Sequence, residues 1–154
     1  MIYGQISGLC KGPLVVFEKD WGKINAQVYI THVLPRVHKF LDELARDAGR
    51  DNVILMEDGA SSHTAKLTKK AHAAHKVIRM KWPANSPDLN PIENVWRLLK
   101  YRIGKRFPKT EEEVRRYIEE EWEKMTVEDF QKYVRSMPKR IKAVIAAEGG
   151  STKW

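Results

Sequence analysis

The N-terminal part of the chain contains two short runs of β-prone residues. Residues 2–7 form the first run and residues 13–17, PLVVF, form the second, with the sequence GLCKG between them. Glycine allows the tight backbone turns that connect neighbouring antiparallel strands. The pattern therefore predicts a β-hairpin over residues 2–17.

The spacing of apolar residues becomes helical in the next segment. Residues 26–48 place apolar side chains three or four positions apart, which is typical of one buried helix face. Pro35 lies inside this segment and predicts a kink or a break, because proline has no backbone N–H. The sequence DAGRD then ends the helix with a glycine. The apolar positions are Val28, Tyr29, Val33, Val37, Phe40, Leu41 and Leu44.

A continuous apolar run, NVILM, occupies residues 52–56 and is bounded by polar and charged residues. This composition predicts a strand buried on both faces, which delivers Glu57 and Asp58 at its carboxyl end. Ligands of α/β proteins bind at such strand ends. A helix over residues 64–75 and a short strand over residues 76–80 follow. The order strand, strand, helix, strand, helix, strand predicts an α/β sheet covered by helices.

The second half of the chain is predicted to be helical, and a proline-rich loop precedes it. Pro83, Pro87 and Pro91 stiffen this loop and fix where the next helix begins. Pro91 suits the first helical turn, with Asn90 as the N-cap. The predicted buried stripe is Ile92, Val95, Trp96, Leu99 and Ile103, and the neighbouring face carries Glu93, Arg97 and Lys100.

Three more helices are predicted towards the C-terminus. Thr110 with Glu113 and Thr126 with Asp129 have the spacing of capping boxes, in which the side chains of the first and fourth residues satisfy exposed backbone N–H groups. Pro138 is predicted to start a last short helix that stops at Gly149. We expect residues 149–154 to form a frayed tail.

The composition limits the classes of protein to which the chain can belong. With 154 residues and 42% hydrophobic residues, it is long enough for one domain with a core, and a net charge of +8 favours polyanionic partners. Cys10 is the only cysteine, so no internal disulfide can form and a reducing compartment is expected. No apolar run reaches the ~20 residues of a membrane helix, so no membrane partner is expected.

Asp58 and Glu93 are the candidate catalytic residues. Two carboxylates brought together repel unless a divalent cation such as Mg²⁺ or Mn²⁺ lies between them, and paired ions of this kind stabilise phosphodiester displacement. By spacing alone, however, the acids are better explained as a strand-end residue and a residue that satisfies a helix dipole. His63 either orients the carboxylate or contacts DNA near the metal, but a histidine just before a helix is more often a helix cap or a surface residue. The spacing of His72 and His75 does not indicate a zinc site.

Three segments carry a resemblance to a known family. MEDGASSHT, WPANSPDLNPIENVWRLLK and SMPKRIKAVIAAEGGSTKW resemble the catalytic domain of the mariner superfamily of DDE transposases, and the similarity extends over residues 2–154. It implies a ribonuclease H-like fold (the integrase/transposase catalytic core), α/β with a mixed sheet, helices and a helical C-terminal part. It also implies one domain over residues 1–154 that binds two Mg²⁺ ions, or Mn²⁺, for DNA cleavage and strand transfer.

By this resemblance Asp58 matches the second catalytic acid and Glu93 the third, with 34 residues between them, and both are metal ligands. His63 matches a histidine of the second-acid motif, and Gly59 stands where many members have Asn. DNA is the implied partner and the nucleus the implied location. The expected DNA-binding residues are Lys66, Lys70, Lys81, Arg97 and Lys100; by default these cations, and others such as Arg79, form a solvated face.

The resemblance also implies that the first, central strand and the first catalytic aspartate of the family precede the segment that matches MIYGQIS. Glu18, Asp20 and Glu57 are nearby acids, but none of them occupies the matching position. We therefore expect this chain by itself not to catalyse strand transfer, and to be either marginally stable or self-associated through an exposed sheet. The alternative function is a non-catalytic DNA-binding or protein-interaction module derived from a transposase.

Overall fold

The computed structural model describes residues 1–49 and 53–154. These residues form two compact units. The first unit contains Met1–Gly4 and Val15–Asn85, and the second contains Gln5–Leu14 and Ser86–Trp154. None of the described helices is both long enough and apolar enough to span a lipid bilayer.

The predicted hairpin is confirmed. Strand β1 (Ile2–Ile6) pairs with strand β2 (Lys11–Val16) in a two-stranded sheet. The backbone N–H of Ser7 donates to the carbonyl of Cys10 at 2.9 Å, and that of Phe17 donates to the carbonyl of Met1 at 3.0 Å. These bonds join the near and far ends of the two runs, so the strands are antiparallel.

Helices of the first unit are shorter than the sequence predicts. The helical segment over residues 26–48 forms two helices, α1 (Ala26–His32) and α2 (Leu34–Asp47), which are interrupted at Val33. Pro35 lies in the first turn of α2, where its missing N–H breaks no helical hydrogen bond. Gly49 follows the end of α2 with a positive φ of 58°; Arg50 and Asp51, also part of DAGRD, lie outside the described residues.

The next helical segment is also divided. A single turn, α3 (Ser61–Thr64), precedes α4 (Lys66–Ala74), so the predicted helix begins earlier and breaks at Ala65. Both helices contact α1. The core beneath them consists of Val15, Tyr29, Val33, Leu34, Val37, Leu41 and Leu55.

Two short strands hold the segment that precedes Asp58. Strand β3 (Ile54–Leu55) pairs in parallel with β4 (Ile78–Arg79), with Leu55 opposite Arg79. The prediction that β3 is buried on both faces is wrong, because Leu55 is 5% exposed whereas Ile54 is 57% exposed. Successive side chains of a strand point to opposite faces, and the described residues cover only the face of Leu55. Asn52, the first residue of the predicted strand, lies outside the described residues.

The second unit contains four helices: α5 (Pro91–Gly104), α6 (Glu111–Lys124), α7 (Val127–Arg135) and α8 (Met137–Ala146). Helix α5 packs against α6 and α7, and a 3₁₀ turn, Pro87–Leu89, contacts α5 and α8. The start of α5 at Pro91 is confirmed, and Oδ1 of Asn90 accepts a hydrogen bond from the backbone N–H of Ile92 at 3.3 Å. Trp96 packs in this unit by stacking on Trp122, with 5.6 Å between ring centres.

The two predicted capping boxes differ. Thr126 and Asp129 form a complete box at the start of α7. Thr110 accepts from the backbone N–H of Glu113, but the Glu113 carboxylate accepts from the N–H of Lys109, one residue before the expected partner. Helix α8 begins at Met137, with Pro138 in its first turn, and ends at Ala146, before the predicted stop at Gly149. In the second unit, local sequence signals therefore predicted the helix starts well, whereas the end of the last helix was predicted too late.

Candidate functional site

Asp58 lies in a turn that follows β3, and its side chain is 51% exposed. Its Oδ1 atom accepts hydrogen bonds from the backbone N–H of Ala60 at 3.0 Å and from Nδ1 of His63 at 2.7 Å. A carboxylate at neutral pH can only accept, so Nδ1 of His63 carries the proton. Oδ2 has no hydrogen-bond partner among the described residues. One oxygen of Asp58 is thus fixed by the protein, and the other is available to a ligand.

His63 is held from both sides. It lies in α3, where its backbone N–H donates to the carbonyl of Ala60 at 2.9 Å. Its ring lies against the ring of Tyr29, with centres 4.6 Å apart, and the edge of Tyr3 is 6.3 Å away. The side chain is only 14% exposed. The sequence left open whether His63 supports the carboxylate or caps a helix, and in this geometry it supports the carboxylate.

Glu57, the residue before Asp58, is a buried anion. Its side chain is 3% exposed; Oε1 accepts from the Tyr29 hydroxyl at 2.5 Å, and Oε2 accepts from Nε of Arg79 at 3.1 Å. Nε2 of His72 lies 3.2 Å from Oε2, within ion-pair distance but out of line for a straight hydrogen bond. Burial by itself would raise the pKa of Glu57, but the contacts from His72 and Tyr29 outweigh it and lower the pKa. Glu57 is therefore committed to these partners, and its carboxylate is not free to bind a ligand.

Arg79 connects Glu57 with His63. Its Nε and Nη2 atoms both lie 3.1 Å from Oε2 of Glu57, and Nη2 donates to the backbone carbonyl of His63 at 3.1 Å. Its side chain is 24% exposed. The expectation that Arg79 lies on a solvated basic face is therefore wrong. The pairing of β4 with β3 brings Arg79 beside the segment that leads to Glu57, and no pattern in the sequence indicated this contact.

Three histidines extend this network away from Asp58. Nε2 of His38 lies 3.2 Å from Nδ1 of His72, and the His38 ring stacks on the His75 ring at 4.1 Å. His75 in turn contacts Asp42 at 3.1 Å. Burial, with added repulsion from His75 and His72, lowers the pKa of His38 to about 4, so His38 is neutral at neutral pH. His38, Asp42 and His75 also line a cleft of about 610 Å³.

Glu93 is exposed in the first turn of α5, in the second unit. Its backbone N–H donates to the carbonyl of Asn90 at 3.2 Å, but its carboxylate has no polar partner among the described residues. The sequence correctly placed Glu93, Arg97 and Lys100 on the exposed face of this helix. The position of Glu93 is thus set by its backbone alone.

Arg140 anchors the segment that precedes Glu93, and the sequence gave no indication of this role. It is 1% exposed and donates to the carbonyl of Asp88 at 2.8 Å, to Oδ1 of Asn94 at 2.5 Å and to Oγ of Ser136 at 2.7 Å. The expected frayed tail also contacts this anchor. Thr152 donates to the Asp88 carboxylate at 2.9 Å, and the guanidinium of Arg140 lies 5.0 Å from the ring centre of Trp154.

Comparison with known proteins identifies the family. The family model of the DDE superfamily endonucleases matches residues 15–115, about two thirds of the chain. The chain belongs to this family. The resemblance that the three sequence motifs carry is confirmed.

Two curated relatives align with the whole of this DDE-family chain. The Tc1 transposase of Caenorhabditis elegans is 32% identical over 155 residues, and the Tcb1 transposase of Caenorhabditis briggsae is 30% identical over 159 residues. Each alignment covers 100% of this chain and 54% of the relative. The chain thus spans about half the length of the curated relatives that it matches.

The fold matches a solved transposase domain. The Mos1 transposase catalytic domain, in a structure with Mn and raltegravir, aligns with a TM-score of 0.84 at 17% identity, over 99% of this chain and 76% of that one. The ribonuclease H-like fold expected from the resemblance is confirmed. Mos1 is also known in a strand transfer complex, which aligns at a TM-score of 0.72 and 18% identity over 99% of this chain and 43% of that one.

The Mos1 catalytic domain has been solved with Mn and with Mg. Mg²⁺ and Mn²⁺ prefer oxygen ligands, and Oδ2 of Asp58 is an oxygen without another partner in the part of the chain that the structure describes. Within that part, no three His, Cys, Asp or Glu side chains are grouped so that they could hold a metal. The expected DNA-binding residues Lys66, Lys70, Lys81, Arg97 and Lys100 are all exposed.

Proposed function

We propose that this chain is the catalytic core of a transposase that cleaves and joins DNA with Mg²⁺ or Mn²⁺, and that Asp58 and Glu93 are metal ligands. The observation that supports this most directly is the state of the Asp58 carboxylate. One oxygen is held by His63 and the Ala60 N–H, and the other is accessible and has no partner among the described residues.

The bound metal would supply charge stabilisation for displacement at a DNA phosphodiester. The residues of this chain prepare for that chemistry. His63 prevents the Asp58 carboxylate from rotating, and Glu93 is presented at the start of a helix that a rigid loop positions. The sharing of one metal by Asp58 and Glu93 stays a prediction from the family resemblance.

The exposed cations Lys66, Lys70, Lys81, Arg97 and Lys100 are proposed to neutralise the phosphates of DNA. Contacts of this kind carry little sequence information and weaken steeply as salt displaces them. We therefore expect weak DNA binding with little sequence preference. The family resemblance adds the expectation of a nuclear location for the protein. Sequence-specific binding that persists at moderate salt would contradict this assignment.

Self-association through the sheet also stays a prediction, which analytical ultracentrifugation can test.

A comparison of three carboxylate variants tests the metal site. Asp58→Asn and Glu93→Gln each remove a proposed ligand, whereas Asp42→Asn is the matched control, because Asp42 is a similarly exposed acid that contacts one histidine. Each variant is assayed for stabilisation by Mn²⁺ in thermal unfolding and for nicking of supercoiled DNA. We expect the two ligand variants to lose the stabilisation by Mn²⁺ and the control to keep it. Any nicking by the wild-type chain should likewise be lost only in the two ligand variants, whereas strand transfer is not expected from this chain by itself.

The two assays also distinguish the proposed metal-dependent function from the alternative, non-catalytic function. A wild-type chain that binds DNA but responds to no divalent metal in either assay would favour the non-catalytic DNA-binding module, for which the net charge of +8 is the supporting observation. Full metal responses in Asp58→Asn and Glu93→Gln would instead show that the acids have been assigned wrongly.

A further inference from the structure

Glu57 and Asp58 are neighbours in the chain but differ in their surroundings. The Glu57 side chain is 3% exposed, whereas that of Asp58 is 51% exposed. A buried carboxylate is costly unless other groups compensate its charge, and Glu57 has a guanidinium, a hydroxyl and an imidazole around it. Two of these three partners, Arg79 and Tyr29, also contact His63, the residue that orients Asp58.

The first connection runs through Arg79. The planar guanidinium places Nε and Nη2 against Oε2 of Glu57, and Nη2 also donates to the backbone carbonyl of His63. A fixed fork of donors can hold two acceptors at once in a defined geometry, which the single ammonium of lysine cannot reproduce. Arg79 therefore ties a residue of α3 to a carboxylate at the end of β3.

The second connection runs through Tyr29. Its hydroxyl donates to Oε1 of Glu57, and its ring lies 4.6 Å from the ring of His63. Burial raises the pKa of Tyr29, so the hydroxyl remains a donor at neutral pH. The backbone of His63 is thus fixed by Arg79 and its ring by Tyr29, and both contacts depend on Glu57.

We propose that Arg79 is a positioning residue, which uses the buried Glu57 as an anchor to hold His63 and thereby the Asp58 carboxylate in one orientation. The proposal rests on the proposed function, because an oriented Asp58 matters only if it binds a metal. Arg79 itself contacts neither the Asp58 carboxylate nor its free oxygen in the described geometry, so it acts through His63.

The simpler explanation is that Arg79 only compensates the charge of Glu57. Arg79→Lys separates the two roles, because lysine keeps the positive charge but loses the fork that also reaches the carbonyl of His63. A charge-compensating role predicts little change in this variant. A positioning role predicts that His63 is released while the protein stays folded. Arg102→Lys is the matched control, because Arg102 pairs with Asp129 at 2.6 Å and its side chain is 29% exposed.

The first readout needs no metal. Long-range ¹H–¹⁵N spectra of the histidine-labelled chain, at a pH about two units above the ordinary histidine pKa of ~6.5, report which ring nitrogen carries the proton. His63→Gln assigns the signal. We expect wild type and Arg102→Lys to show His63 as the single Nδ1–H tautomer that donates to Asp58. In Arg79→Lys we expect a mixture of both tautomers.

The second readout is Mn²⁺ affinity, followed by the electron paramagnetic resonance signal of free Mn²⁺. Loss of a group that orients a ligand typically weakens metal binding about 10- to 100-fold, so we expect about a tenfold loss in Arg79→Lys and none in Arg102→Lys. If the wild-type chain binds no Mn²⁺, the proposed function fails, and the tautomer of His63 still decides whether Arg79 positions it.

Two results would overturn the proposal. One is a folded Arg79→Lys chain in which His63 keeps the wild-type tautomer and chemical shifts. The other applies to the wild-type protein and holds even if the variant does not fold. A guanidinium held by Glu57 and His63 should show separate Nη signals, so a single averaged Nη signal for Arg79 at low temperature would show that the guanidinium rotates freely.

Discussion

Asp58 and Glu93 are placed by different means. In the first unit, the Asp58 side chain itself is held, since Oδ1 accepts two hydrogen bonds and His63 is fixed in turn by Arg79 and Tyr29. In the second unit, only the backbone of Glu93 is held, and its carboxylate is exposed without a polar partner among the described residues. The first arrangement fixes the direction of an oxygen, whereas the second fixes only where a flexible side chain begins.

The two arrangements also place buried charge differently. Around Asp58, the buried anion Glu57 is compensated by an arginine and contacted by a histidine. Near Glu93, the buried charge is the cation Arg140, whose hydrogen bonds in the described part of the chain go to a carbonyl, an amide and a hydroxyl. Removing either charge leaves polar groups buried without partners, which costs more than the hydrogen bonds contribute when intact.

The largest effect is expected at Arg140. Arg140→Met fills a similar volume but leaves Oδ1 of Asn94 and the carbonyl of Asp88 without their donor. Hydrogen bonds to a charged group are each worth ~1.5–3 kcal/mol, so we expect the free energy of unfolding to fall by about 3 kcal/mol, measured by urea titration. Arg97→Met, at an exposed position of α5, is the control and should change it by less than about 0.5 kcal/mol. Equal effects in the two variants would mean that Arg140 does not anchor the segment before Glu93.

The same comparison shows what a sequence can and cannot predict. Helix starts were predictable because their signals are local. Asn90 and Pro91 specify the start of α5, and Thr126 with Asp129 specifies that of α7, by contacts within four residues. The apolar run NVILM and the helix start at Pro91 likewise placed Asp58 after a strand and Glu93 in a first helical turn.

Contacts between distant segments were not predictable. Arg140 meets Asn94 across 46 positions, and Arg79 meets Glu57 across 22, so neither shows as a periodic pattern. Arg79 was expected on a solvated face and nothing in the sequence singled out Arg140, because composition does not say which cations a fold will bury. The prediction that β3 is buried on both faces was wrong for a related reason. An apolar run predicts a strand, but it does not show whether other residues cover both faces of that strand.

Acidification is expected to have an intermediate effect on the free energy of unfolding. The effect arises in the first unit, which contains all five histidines. The folded pKa of His38 is lowered from 6.5 to about 4, so the unfolded chain binds a proton that the folded chain does not. This contribution to stability is complete above pH ~6.5 and is lost as the pH falls towards 4. Because His38 is only partly buried, we expect a loss of about 1–2 kcal/mol rather than the full value of the shift.

Urea titrations between pH 7 and pH 4 measure this loss. The variant His38→Gln should reduce the slope of the free energy of unfolding against pH. His72, His75, Asp42 and Glu57 surround His38 and all influence its pKa, so the variant isolates only the His38 share. The lowered pKa of Glu57 adds a loss in the same direction at lower pH, because its stabilisation is present above its unfolded pKa and disappears below. An unchanged slope in His38→Gln would show that His38 is not neutral in the folded protein.

The smallest effect is expected at the helix cap before Glu93. Asn90 is 7% exposed, and its Oδ1 accepts from the backbone N–H of Ile92. Asn90→Ala removes this bond and should cost about 1 kcal/mol of stability in urea titration, with Asn90→Asp restoring most of it. Thr126→Ala removes the corresponding cap of α7 and should cost a similar amount.

The two cap variants differ in what they should do to metal binding. If Glu93 is placed only by the first turn of α5, Asn90→Ala loosens that turn and lowers Mn²⁺ affinity, whereas Thr126→Ala leaves the affinity unchanged at equal loss of stability. A fall of the same size in both variants would mean that general destabilisation weakens the site. No fall in either would mean that Glu93 reaches the metal without help from its cap, since a flexible side chain can compensate for a displaced backbone, as the fixed oxygen of Asp58 cannot.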